Sequence, residues 1–90
     1  MKVVVLYKKN SEHYSSLEEF ISKLRQGLEG SSVSVEVSSA ETREGNAIAS
    51  IYDIFSFPAI LVLRDDGSVQ NLWEGPDFPA IDEIKGYALA

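Results

Sequence analysis

The chain has no cysteine. That excludes disulfides, thiolate metal sites and protein-thiol redox chemistry, and it fits a reducing, cytoplasmic compartment. Basic side chains are few, 8 lysines and arginines against 14 aspartates and glutamates, for a formal net charge of −6. They are also scattered, with Lys8 and Lys9 the sole adjacent pair, so nothing resembles a stripe that tracks phosphates. Neither nucleic acid nor an anionic membrane surface is an expected partner. With one histidine, His13, and no thiolate, a metal centre would need carboxylates to complete it. No metal or cofactor is expected. No apolar run approaches the roughly 20 residues that span a bilayer, and strand-forming residues begin at Lys2, which argues against a leader.

What is present suits one folded domain over residues 1–90. The apolar share of 44% is ordinary for a globular chain, and the charged share of 24% argues against disorder. Two stretches, Val3-Val4-Val5-Leu6 and Ala59-Ile60-Leu61-Val62-Leu63, are unbroken apolar runs, the mark of strands covered on both faces. Pro58 opens the second run, a place where a proline's missing N–H does no harm. An aromatic-proline entry such as Phe57-Pro58 is also where a cis peptide is cheapest. Asp66-Gly67 predicts a tight hairpin with positive backbone angles, leading into Val69 to Trp73. In that strand Val69, Asn71 and Trp73 fall on one side and Gln70, Leu72 and Glu74 on the other. Val33 to Ser38 alternates strictly, which predicts an edge strand with one face in water.

Three helices fill the gaps. Leu17, Phe20, Ile21, Leu24 and Leu28 recur at helical spacing. Ser16 with Glu19, or Ser15 with Glu18, would cap that helix, and Gly27 or Gly30 would end it. Ala47, Ile48, Ile51, Tyr52 and Phe55 mark the apolar face of a second helix that Thr42 to Gly45 leads into. Gly75-Pro76 breaks the last strand, and a third helix runs from about Phe78 or Pro79 through Ile81, Ile84, Tyr87 and Ala88.

The order is β-α-β-α-β-β-α, an α/β chain. A helix joins the first two strands, so they should be parallel through a right-handed crossover, and the last two form an antiparallel hairpin. The two continuous runs must be central and the two half-polar strands must be edges. A mixed four-stranded sheet of order 2-1-3-4, with helices on both faces, meets these demands.

That order, with a proline opening the third strand, resembles the thioredoxin-like fold in its small, glutaredoxin-sized form. Val4-Val5-Leu6-Tyr7-Lys8-Lys9 looks like the family's first strand and the approach to its active site. Tyr52-Asp53-Ile54-Phe55-Ser56-Phe57-Pro58-Ala59-Ile60-Leu61-Val62-Leu63 looks like its helix, cis-proline and third strand. Asp66-Gly67 and Gly75 fall where the family places its hairpin turn and the glycine ending its fourth strand. The resemblance implies a three-layer α/β/α architecture. It does not carry the family's oxidoreductase activity, because the Cys-x-x-Cys motif falls on Glu12-His13-Tyr14-Ser15.

Glu12, His13, Tyr14 and Ser15 form the one dense cluster of chemically able groups. Ser15 as a nucleophile with His13 as base lacks a third group to orient the imidazole. The plainer reading is a polar loop whose Ser15 or Ser16 caps a helix with Glu12 near its dipole. The resemblance implies a binding role: with a cis Phe57-Pro58 bond, the Phe57 backbone is free to pair with an extended peptide. Tyr14, Phe57, Pro58 and Gly75 would line that groove. The expected function is thus a redox-inactive, non-catalytic thioredoxin-like domain that binds a peptide or partner protein. Two alternatives stay open. One is a binder of a glutathione-like thiol, or a cysteine-independent enzyme, using Glu12, His13 and Ser15. The other is a subunit that forms a homodimer through the edge strand from Val33 to Ser38. Trp73 is either a core aromatic or an anchor for a partner.

Overall fold

A computed structural model describes residues 1–9, 14–75 and 77–90, excluding the side chains of Tyr14 and Ser15. The elements run β1 (Lys2–Tyr7), α1 (Tyr14–Gly27), β2 (Ser34–Ser39), α2 (Arg43–Ile51), β3 (Ala59–Leu63), β4 (Val69–Glu74) and α3 (Ile81–Ala88). The sheet has the order β2-β1-β3-β4. β1 is parallel to β2, with Val3 opposite Val35, and antiparallel to β3, with Val4 opposite Leu61. β3 and β4 form the antiparallel hairpin.

The apolar runs occupy the centre for the reason their composition suggests: Val3 to Leu6 and all of β3 are buried. Side chains alternate across the sheet, so each central strand feeds two cores. On one face Val3, Val5, Ile60 and Val62 pack with Leu17, Phe20, Leu24 and Leu28 of the α1 segment and with Ile84 and Ala88 of α3. On the other Val4, Leu6, Ala59, Leu61 and Leu63 pack with Ala49 of α2 and with Ile54.

Several local expectations need correction. α1 begins at Tyr14, so Ser15 and Ser16 lie inside the helix and neither is its N-cap. α2 ends at Ile51, because Tyr52 caps it and Asp53 turns into the left-handed region at φ 54°. Phe55 therefore leaves the helix and is 83% exposed, and Ile51 is 71% exposed. α3 starts at Ile81, not at Phe78, whose ring instead stacks on Phe20 at 4.7 Å.

The strand details shift too. In β2 the valines pack on the first core, but Glu36 and Ser38 are half-buried and not free in water. The hairpin is not a two-residue turn with paired positive angles. The Arg64 N–H donates to the Ser68 carbonyl across a loop of Asp65, Asp66 and Gly67, and only Gly67 of the loop has positive φ, 88°. That is a longer loop with glycine in the left-handed position. A bulge follows, pairing Leu63 with Val69 but Val62 with Asn71. Directly paired residues share a face, so Val69 lies on the face opposite Asn71 and Trp73.

Candidate functional site

Topology gathers one set of termini. The C-terminal ends of β1, β2 and β4 and the N-terminal end of β3 lie together, because β1 and β2 are parallel and β3 is antiparallel to both its neighbours. This end carries Lys8 and Lys9, Ala40 and Glu41, Phe57 and Pro58, and Gly75. Two bonds tie the first two strands there: the Ala40 N–H donates to the Tyr7 carbonyl at 2.7 Å, and the Lys9 N–H donates to Glu41 Oε1 at 3.0 Å.

The Phe57–Pro58 peptide is cis. Pro58 is buried, and its carbonyl accepts the Gly75 N–H at 3.1 Å, which sets these two site residues side by side. Glu74 Oε1 accepts the N–H groups of Phe55 and Ser56, at 3.2 and 3.5 Å, and so holds the approach to the proline against β4. The Phe57 ring is half-buried, with Lys8 Nζ 5.1 Å from its centroid, within cation–π range. Among the described residues, neither the N–H nor the C=O of Phe57 has a hydrogen-bond partner.

Of the residues singled out from the sequence, Phe57, Pro58 and Gly75 are therefore brought together. Glu12 and His13 lie outside the described residues. Tyr14 and Ser15 form the start of α1, which fixes their backbone in a helix and nothing more. Trp73 is half-buried against α3, where its Nε1–H donates to Glu83 at 3.3 Å and its ring meets Tyr87 edge-on at 5.6 Å. That commits the indole to packing within the chain.

On the other side of Phe57 lies a hollow of about 650 Å³ that sequence reasoning missed. Ala40, Ala49 and Ile54 form its buried floor, Asn46, Ser50 and Asp53 come from one face of α2 and the turn after it, and Phe55 and Phe57 border it. The spacing of Asn46, Ala49, Ser50 and Asp53 was a readable helical stripe. Its opposition to Lys8 and Glu41 was not, because that depends on how α2 sits on the sheet.

The same architecture occurs in solved structures. A malarial protein superposes with a TM-score of 0.73 at 13% identity, over 96% of this chain and 90% of that one. Thioredoxin 1 of Thermosipho africanus TCF52B gives 0.69 at 13% identity, over 97% and 89%. The fold is thioredoxin-like. A third neighbour, the C-terminal domain of DsbD from Neisseria meningitidis in its reduced form, gives 0.59 at 20% identity, over 97% and 77%. No protein-family model and no curated protein matches the chain. Unlike a thiol–disulfide oxidoreductase, this thioredoxin-like chain has no cysteine at all.

Proposed function

We propose that this is a non-catalytic, redox-inactive thioredoxin-like domain of the cytoplasm that binds an extended segment of a peptide or partner protein beside Phe57 and Pro58. The observation that carries the reading is the Phe57 backbone at the mouth of a sheet, unpaired among the described residues and next to the Pro58–Gly75 bond. An extended segment laid there gains main-chain hydrogen bonds in the manner of an added strand. The reading also assigns Tyr14 and Ser15 to the site, together with Glu12 and His13, which lie outside the described residues. The absence of thiols removes the alternative use of such a groove, holding a disulfide for exchange.

Peptide display against the wild-type protein and Phe57→Asp tests this. Selected peptides should lose binding to the variant, and should shift the Phe57 amide resonance and slow its exchange. Peptides that bind both proteins equally would sink the groove. Disulfide reduction should stay at background in any assay.

A second reading concerns β2, which lies at the sheet margin and pairs with β1 alone among the described residues. Two copies can pair antiparallel about a two-fold axis through Val35, setting Val33 against Val37 and Ser34 against Glu36. Centring the axis on Glu36 would oppose two carboxylates, which is unfavourable. A monomer by light scattering at high protein concentration would count against this homodimer.

A further inference from the structure

We propose that the hollow between α2 and Phe57 receives an apolar side chain flanked by lysine or arginine on a partner segment. This deepens the peptide reading above, since Phe57 borders both surfaces, and it assigns the class of ligand.

One large apolar side chain of this lining stands in water, Phe55 at 83% exposure. It belongs to neither core. The Phe55 backbone is held in place, because its N–H donates to Glu74. An exposed aromatic on a held backbone, beside an apolar floor of Ala40, Ala49 and Ile54, is the anatomy of an interface anchor. The volume of about 650 Å³ is in the range of ligand-binding clefts.

The polar groups define what flanks the apolar anchor. Asn46 and Ser50 line the hollow with side chains that have no hydrogen-bond partner among the described residues. Two carboxylates, Glu41 and Asp53, line it as well, and neither is in an ion pair among the described residues. Glu41 uses only Oε1, on the Lys9 amide, leaving Oε2 for a cation. The one base in the lining, Lys8, already rests against the Phe57 ring. A chain of net charge −6 adds attraction for a basic segment at longer range. An acidic segment would meet Glu41 and Asp53 head-on.

The test uses the whole chain and short, capped, fluorescent peptides with a central leucine flanked by lysines, by glutamates, or with serine in place of leucine. By anisotropy at low salt, the lysine-flanked leucine peptide should bind at least about tenfold tighter than either of the others. The preference should shrink at about 0.3 M salt, where exposed charges are screened. Phe55→Ser should weaken it about tenfold, and the pair Glu41→Gln and Asp53→Asn should remove most of the charge preference. All three positions are exposed, and asparagine tolerates the left-handed backbone at Asp53, so unchanged melting curves should show the fold intact. Amide shifts should centre on Asn46, Ser50 and Asp53.

Equal binding of the lysine and glutamate peptides, full affinity in Phe55→Ser, or no binding near about 1 mM would each overturn the proposal. The two readings fail separately. Peptides lost with Phe57→Asp but indifferent to Phe55→Ser leave the strand groove and remove the hollow. Shifts confined to α2, with the Phe57 amide unmoved, do the reverse.

Discussion

Gly45 lies directly over the carbonyl of Ser39. A Cβ built on this helical glycine would overlap that oxygen. The oxygen cannot readily give way, since it accepts both the Thr42 hydroxyl at 2.7 Å and the Thr42 N–H at 3.1 Å. Thr42 Oγ1 in turn accepts the Gly45 N–H at 3.1 Å, so one threonine caps α2 and pins it to the end of β2. Because α2 forms one side of the hollow, this contact sets where Asn46, Ser50 and Asp53 stand.

Gly45→Ala should therefore destabilise the protein by about 1–3 kcal/mol, the usual cost of overpacking, despite alanine's better helix propensity. Urea denaturation measures it. An unchanged midpoint would mean the helix can lift off the strand freely.

Gly86 is the control. It lies in α3, is exposed, and a Cβ there would meet nothing within 4 Å. Gly86→Ala should raise stability by about 0.5–1 kcal/mol through helix propensity and reduced unfolded-state entropy. The same substitution is thus expected to have opposite signs at two helical positions, and a loss of stability at Gly86 would refute the contrast.

Trp73 should report on α3 docking. Its ring contact with Tyr87 at 5.6 Å and 73° is the edge-on geometry that aromatic pairs favour. A double-mutant cycle of Trp73→Leu and Tyr87→Leu should give a coupling of about 0.5–1.5 kcal/mol. Strictly additive effects would show the contact to be incidental. Tryptophan emission should move to longer wavelength in Tyr87→Ala if α3 loosens its hold on the ring.

The hairpin loop has a pH signature. Asp66 accepts the Ser68 hydroxyl at 2.6 Å and the Ser68 N–H at 2.9 Å. These bonds, the hydroxyl first, hold its carboxyl below the ordinary aspartate range, with Arg64 adding a smaller pull. A lowered folded-state pKa means the contribution is present above the unfolded value and disappears as pH falls through the folded one. Ser68→Ala should move the Asp66 titration upward by NMR, toward the ordinary aspartate value. A titration that stays low in the variant would assign the effect to the Ser68 N–H, which alanine keeps, and not to the hydroxyl.

Much of this molecule is written locally. Val3 to Leu6 and Ala59 to Leu63 are apolar without interruption, so they could only be central strands, and with two half-polar strands left for the margins the order 2-1-3-4 follows. Pro58 and the glycine after Asp66 mark where the third strand begins and where its hairpin turns, because proline fixes φ and lacks an N–H while glycine admits the positive φ of a turn. The lack of cysteine removes thiol chemistry by itself.

Tertiary structure decided the rest. Helical periodicity assigns Ile51 and Phe55 to a buried face, but α2 packs through Gly45, Ile48 and Ala49, which leaves Ile51 outside, and Asp53 redirects the chain and exposes Phe55. Periodicity is a statement about one helix continuing. It cannot see the Glu74 carboxylate that holds the following segment to another strand. By propensity alone a glycine at position 45 weakens a helix, yet it is the close approach that seats the helix on β2, because only the position of Ser39 gives a missing side chain its value. The opening in the sheet at Phe57 and the hollow beside it share that origin. Their residues are distant in sequence, and what joins them is the end of the sheet where four strands begin or stop.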